Sequence, residues 1–97
     1  MRYEIIFAPE AMEELKYLDA HQRAMVKDAI EVHLRHEPRK ESRTTIKRLR
    51  DLIRPQYRLR VEQLRVFYDV RMGEVEIITI ISKDGALSWL ERKGVRS

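Results

Sequence analysis

Arginine side chains recur at alternate positions in the middle of this 97-residue chain, a spacing that could hold a phosphate group. Arg58 and Arg60 alternate with apolar residues, and Arg65 follows a Glu62-Gln63 pair that suits a two-residue hairpin loop. If the hairpin forms, Arg60 lies directly opposite Arg65, and Arg58 lies opposite Phe67. Like charges opposed on a sheet are destabilising, so folding alone gives no reason for this placement. A negatively charged ligand would supply the reason.

The aromatic ring of Phe67 beside these guanidinium groups narrows the class of ligand. Arginine pairs with phosphate through two hydrogen bonds at once, and aromatic rings stack on bases, as in proteins that hold single-stranded RNA. We therefore expect this sheet face to bind a polyanion, and the mixture of arginine and an aromatic ring suits single-stranded RNA. The alternative is an ordinary solvent-exposed face, on which Glu62, Asp69 or Glu76 neutralises the guanidinium groups.

Positive charge is concentrated in the same part of the chain. The whole sequence carries a net charge of +4, but residues 38–72 hold 11 basic and 4 acidic side chains. Such a block indicates a polyanion or an acidic protein as partner. The further candidates for RNA contact in this block are Lys47, Arg48, Arg50 and Arg54.

Several classes of site and of protein do not fit the composition. The chain has no cysteine, no histidine pair at metal-ligand spacing with carboxylates, no glycine-rich phosphate loop and no arrangement typical of a Ser-His-Asp triad. We therefore expect no metal and no cofactor. No apolar stretch approaches the length of a membrane span, and the N-terminus lacks the apolar region of a signal peptide. We expect one domain over residues 1–97, located in the cytoplasm.

Hydrophobic periodicity predicts the elements that must position the arginines. A helix begins at Pro9, Asp19 caps a second helix that Pro38 terminates, and the two form a helical hairpin. Alternation predicts strands over 2–7, 57–61, 64–70 and 75–81, a brief strand or turn over 46–49, and a short terminal helix over 86–91.

These elements predict an α+β fold. The order is an N-terminal strand, the helical hairpin, an antiparallel β-meander and the C-terminal helix, with the helices packed on one face of the sheet. The last strand is apolar on both faces, which favours a central position in the sheet. The opposite face, which carries Arg58, Arg60 and Arg65, is left open.

The stretch from Ile46 to Lys83 resembles the RelE/ParE superfamily of type II toxin-antitoxin toxins, with the RelE-like branch favoured. Four segments carry the resemblance through their order and spacing, and the strand-helix-helix opening fits as well. They are Lys47 to Arg50, Tyr57 to Val61, Arg65 to Tyr68 and Val75 to Lys83.

The resemblance implies a cytoplasmic toxin that a cognate antitoxin neutralises and that cleaves mRNA on the ribosome. In that metal-independent reaction the ribose 2′-OH attacks the adjacent phosphate and leaves a cyclic phosphate. Arg58 and Arg60 fall where basic residues bind the RNA and help to activate the 2′-OH, Arg65 falls where an arginine contacts the scissile phosphate, and Lys83 supplies a further cation. Operator DNA is a partner of the toxin-antitoxin complex in such systems.

The C-terminal segment departs from the RelE-like pattern. Asp84 stands where these nucleases often have an arginine, and Trp89 stands near the place of a tyrosine or histidine. Tryptophan does not donate an acidic proton, so the groups for acid-base catalysis are not identified, and we expect Trp89 to lie in the core. Two alternatives therefore stay open: a ParE-like inhibitor of DNA gyrase, or a non-catalytic member that binds only its antitoxin and operator DNA.

Overall fold

Three helices and two sheets form the fold of the computed structural model, which describes residues 1–97. The helices are α1 (Pro9–Tyr17), α2 (Ala20–Leu34) and α3 (Lys83–Lys93). The strands are β1 (Glu4–Phe7), β2 (Ile46–Arg48), β3 (Leu52–Arg54), β4 (Tyr57–Val61), β5 (Leu64–Arg71), β6 (Glu74–Ser82) and β7 (Val95–Arg96). The predicted order of elements is confirmed, and β3 and β7 are additions that the sequence pattern did not indicate.

The main sheet has the strand order β1-β6-β5-β4-β2. β1 runs parallel to β6, whereas the other pairs are antiparallel. The loops Glu62-Gln63 and Met72-Gly73 join β4 to β5 and β5 to β6, as predicted for a meander. β6 lies in the interior of the sheet between β1 and β5, which agrees with its apolar character on both faces, and β5 is the middle strand.

The helical hairpin of α1 and α2 covers one face of this sheet. Pro9 stands in the first turn of α1, and the Asp19 carboxylate caps α2 by accepting a hydrogen bond from the N–H of Gln22 at 2.7 Å. Both helices bury apolar residues at helical spacing, Ala11 and Leu15 on α1 and Val26, Ile30 and Leu34 on α2. The main core on this side includes Ala11, Leu15, Val26, Ile30, Leu34, Leu59, Val66, Tyr68 and Ile77.

α3 differs in length and in position from the helix that the sequence predicts. It begins at Lys83 rather than near residue 86, because the Ser82 hydroxyl caps it by accepting from the N–H of Gly85. Asp84 lies in the first turn, where the helix dipole favours an acidic side chain. Trp89 packs with Phe67 and Ile78 in a second apolar cluster. Because Phe67 alternates with the core residues of β5, α3 covers part of the face that was expected to be open.

A small second sheet lies beside α3. β3 pairs with β7 in antiparallel fashion, and the carbonyl of Asp51 accepts a hydrogen bond from the N–H of Ser97. Arg54 at the end of β3 donates to Asp69 on β5 at 2.8 Å and to Glu76 on β6 at 3.1 Å. The contacts of Arg54 hold β3 against β5 and β6 of the main sheet.

Candidate nucleic-acid interface

The hairpin register places the predicted arginines together. Arg60 pairs with Arg65 and Arg58 pairs with Phe67, as the sequence predicts, and Lys47 on β2 lies opposite Arg58. Lys47, Arg58, Arg60 and Arg65 therefore form one patch across three adjacent strands, which we call the cationic face.

No carboxylate neutralises the cationic face. None of its four members forms a salt bridge, although seven salt-bridge contacts exist elsewhere in the structure. Asp69 and Glu76 pair with Arg54 and Arg71 instead. Glu62 contributes only its backbone carbonyl, which accepts a hydrogen bond from Arg65 at 2.8 Å. The alternative in which acidic neighbours balance these arginines is therefore wrong.

Burial makes this unbalanced charge more costly at Arg58. Its Nε is buried without a hydrogen-bond partner. Desolvation lowers the pKa of the Arg58 guanidinium, and the nearby Arg65 and Arg60 lower it further. The pKa of Arg65 is lowered in the same way, by desolvation and by Arg60. A bound anion would offset both effects, since it supplies an acceptor and an opposite charge.

Phe67 does not offer the exposed aromatic surface that its neighbours suggested. Its side chain is 1% exposed, because the indole ring of Trp89 stacks on it with ring centroids 5.5 Å apart. Phe67 therefore supports Trp89 and cannot stack on a base in this structure. Trp89 is itself 5% exposed, which confirms the prediction that it is a core residue.

Lys83 lies at the start of α3, close to the hairpin loop that joins the two arginine-bearing strands. Its backbone N–H donates to the carbonyl of Gln63 at 2.8 Å, and its side chain is exposed. The first turn of α3 is thereby tied to the end of the hairpin that carries Arg60 and Arg65.

The other three basic candidates lie outside the cationic face. Arg48 donates to the carbonyl of Gln56 and lies over the ring of Tyr57, on the helix-covered side of the sheet. Arg50 forms a salt bridge with Glu41 at 3.0 Å. Arg54 is bound by Asp69 and Glu76, and these two carboxylates raise its pKa against the effect of desolvation. Local charge density did not reveal these partners, because Asp69 and Glu76 are distant in sequence.

A cleft of about 560 Å³ lies between the β2–β3 connection and α3. Leu49, Leu52, Leu87 and Leu90 provide its apolar walls, and Lys47 lies at once on its rim and on the cationic face. The sequence did not predict this cleft, because it depends on the position of α3. The one available indication was the spacing of Leu87 and Leu90 on a helix beside Trp89.

The structure describes no group of three or more His, Cys, Asp or Glu side chains placed to hold a metal ion. None of the three helices combines the length and the apolar composition required to cross a lipid bilayer.

Comparison with solved structures identifies relatives of this fold. The YoeB dimer from Staphylococcus aureus matches with a TM-score of 0.67 and 20% identity, over 84% of this chain and 97% of the matched chain. The archaeal RelE-RelB complex from Pyrococcus horikoshii OT3 matches with a TM-score of 0.62 and 19% identity, over 86% and 97%. The RelB-RelE antitoxin-toxin complex from Methanococcus jannaschii gives 0.64 and 19%, over 87% and 96%.

No model of a protein family matches the chain, and no curated protein matches it either. The structural likeness extends over most of the chain and nearly all of each matched chain. The protein therefore has the α+β fold of the RelE and YoeB structures, and the resemblance drawn from residues 46–83 is confirmed at the level of the fold.

Proposed function

We propose that this protein is the toxin of a type II toxin-antitoxin system and acts in the cytoplasm as a ribosome-dependent mRNA endoribonuclease. The observation that carries the proposal is the cationic face, where four basic side chains converge without a single acidic partner. A fold alone does not determine function, so the argument depends on this site.

The proposed chemistry is attack of a ribose 2′-OH on the neighbouring phosphorus, which forms a 2′,3′-cyclic phosphate while the 5′-oxygen of the next nucleotide leaves. Negative charge grows on the phosphoryl oxygens during this step, and fixed cations stabilise it. Arg65 contacts the scissile phosphate, Arg58 and Arg60 bind the strand around the 2′-OH, and Lys83 adds charge from the start of α3. The reaction as proposed requires no metal.

The partners follow from the same surface. Charge complementarity favours binding of either RNA or an acidic antitoxin segment to the cationic face. A bound antitoxin segment would therefore neutralise this face and exclude RNA from it. Two of the matched structures are themselves complexes, RelE-RelB from Pyrococcus horikoshii OT3 and YoeB-YefM from Staphylococcus aureus. We propose that this chain likewise binds a cognate antitoxin, and that the resulting complex binds operator DNA.

A second candidate function is RNA binding without efficient cleavage. Trp89 is buried against Phe67, its indole nitrogen has no partner, and indole is not an acid. Asp84 serves the first turn of α3, where it would repel phosphate rather than bind it. These two observations leave the electrostatic part of the machinery in place without assigning an acid or a base.

Induction of the protein in bacterial cells, followed by mapping of mRNA 5′ ends and measurement of the DNA damage response, tests the proposal. Cleavage at positions in phase with codons, within minutes of induction, is the expected result. Intact mRNA together with DNA damage signalling would instead identify a gyrase inhibitor. Growth arrest with intact mRNA and no DNA damage would favour the second candidate.

Two variants of the cationic face link the outcome to the site. We expect Arg65→Ala and Arg60→Ala to reduce cleavage at least about tenfold, the effect of losing one charge-assisted hydrogen bond to phosphate. Arg50→Ala is the matched control, because Arg50 is equally basic and is neutralised by Glu41. Equal toxicity of all three variants would refute a functional role for the cationic face.

A further inference from the structure

The outer edge of β6 changes its partner halfway along the strand. β1 pairs with β6 as far as Ile77, whose carbonyl also accepts a hydrogen bond from the N–H of Ala8 at 2.9 Å. Beyond this residue the Glu14 carboxylate of α1 takes the place of a strand. It accepts from the N–H of Ile80 at 2.8 Å and from the hydroxyl of Thr79 at 2.8 and 2.9 Å.

The same stretch of β6 contains an extra residue. Ile78 has no partner on β5, because the register shifts by one between the pairs that Ile77 and Thr79 form. Ile77 and Ile80 consequently belong to the main core, whereas Ile78 and Ile81 pack in the second apolar cluster. A regular strand does not give this spacing, since its side chains alternate strictly between the two faces.

The position of this β-bulge determines what lies beside the arginines. Without the extra residue, the part of β6 between the bulge and α3 would exchange faces, because a one-residue slip reverses the alternation. Ile81 lies directly opposite Arg65, and the start of α3 at Lys83 follows two residues later. The placement of Trp89 over Phe67 therefore depends on the bulge.

We propose that Glu14 is a positioning residue of the cationic face, which holds the β6 bulge in register and thereby places α3 over Phe67, the cross-strand partner of Arg58. Glu14 lies on the first helix, far in sequence from the arginines, and its carboxylate forms no salt bridge. Burial raises its pKa, partly offset by the bonds from Ile80 and Thr79. A desolvated carboxylate without a cation is costly, so its hydrogen bonds to β6 must be its main compensation.

Trp89 supplies a direct reporter for this inference, because it is the only tryptophan of the chain and it is buried. We expect Glu14→Leu to shift Trp89 emission to longer wavelength and to raise acrylamide quenching several-fold, at temperatures well below unfolding. Glu14→Gln should restore the native spectrum, because its amide oxygen still accepts from Ile80. Glu13→Leu is the matched control, since Glu13 is the exposed neighbour on α1.

A second measurement connects the positioning to RNA, and this arm rests on the proposed function. Glu14→Leu should weaken binding of a single-stranded RNA oligonucleotide by about tenfold, as expected when one charge-assisted phosphate contact is misplaced. Glu14→Gln and Glu13→Leu should bind as the wild type does.

The outcomes separate the inference from the proposed function. If Glu14→Leu unfolds more easily but leaves Trp89 emission and quenching unchanged in the folded state, Glu14 is only a stabilising residue and the inference is overturned. If Glu14→Leu does not fold, Glu14→Ala removes the acceptor of both bonds without adding a bulky side chain, and an unchanged Trp89 in that variant overturns the inference equally. Wild-type protein without affinity for RNA would refute the proposed function, while the Trp89 measurements would still decide the role of Glu14.

Discussion

Replacement of Arg58 by methionine should stabilise the protein while weakening its binding of RNA. The Arg58 Nε is buried without an acceptor, and an unsatisfied buried donor costs about 1–3 kcal/mol. Lys47 lies directly opposite on β2, and a like-charge pair in that position adds about 0.2–1 kcal/mol. Methionine keeps the apolar stem without the charge, so we expect Arg58→Met to raise the free energy of unfolding by about 1–2 kcal/mol.

Arg54→Met is the matched comparison, and it should lower the free energy of unfolding. Arg54 donates to the buried carboxylate of Asp69, and its removal leaves that carboxylate with only the N–H of Gln56 as a partner. We expect a loss of about 1–3 kcal/mol, discounted for the partial exposure of Arg54. The two substitutions are chemically identical, so their difference measures the environment of the two arginines.

Urea unfolding followed by far-UV circular dichroism measures both effects, and the thermal midpoint should move by about 4–8 °C per kcal/mol in a domain of this size. RNA affinity should fall about tenfold in Arg58→Met and remain unchanged in Arg54→Met. A destabilised Arg58→Met would refute the reasoning, because it would show that the Arg58 charge is already compensated in the free protein. A stabilised variant with unaltered RNA binding would remove Arg58 from the binding site.

Three further outcomes follow from the packing, the hairpin turn and the buried acid. Trp89→Ala should lower the free energy of unfolding by about 3 kcal/mol. Trp89→Phe should lower it by less than about 1.5 kcal/mol, because phenylalanine keeps a ring against Phe67 and removes an unpartnered N–H. Urea unfolding measures both effects. Glu62→Gly should raise the free energy of unfolding by about 1 kcal/mol in thermal unfolding, because Glu62 has φ 53°, a left-handed conformation that glycine adopts without strain. The stability of Glu14→Gln relative to wild type should rise as pH increases above about 4.5. Burial raises the folded-state pKa of Glu14 above this usual value, so the wild type loses stability as pH rises from the unfolded-state pKa through the folded-state pKa. A flat difference in parallel urea titrations would contradict the raised pKa.

Periodicity predicted the hairpin and the helices because both are set by local alternation. Arg60 lies opposite Arg65 because a two-residue loop leaves only one register for the two strands. The caps at Asp19 and Pro9 act within one helical turn, so they too could be recognised from neighbouring residues. The cationic face was predictable for the same reason.

Contacts between distant segments were not predictable in this way. Phe67 was expected to be exposed because its neighbours on β5 indicated only which face it occupied, and the helix that covers it begins at Lys83. Arg54 is among the residues predicted to contact RNA, because its neighbours in sequence do not reveal its acidic partners. These partners, Asp69 and Glu76, come from two later strands. The role of Glu14 required the β6 bulge, which no alternation pattern in the sequence revealed.

The main sheet separates the two apolar clusters, so the parts of the molecule that they stabilise need not unfold together. Trp89 is the only buried residue of α3, whereas the main core joins both other helices to the five strands of the main sheet. Opening of α3 therefore exposes one cluster and leaves the larger one intact, which makes it a sub-global event of low free energy. In native-state hydrogen exchange, the amides of residues 87–93 should exchange well before those of β5. The helix that covers Phe67, the cross-strand partner of Arg58, would then open while the main sheet stays folded.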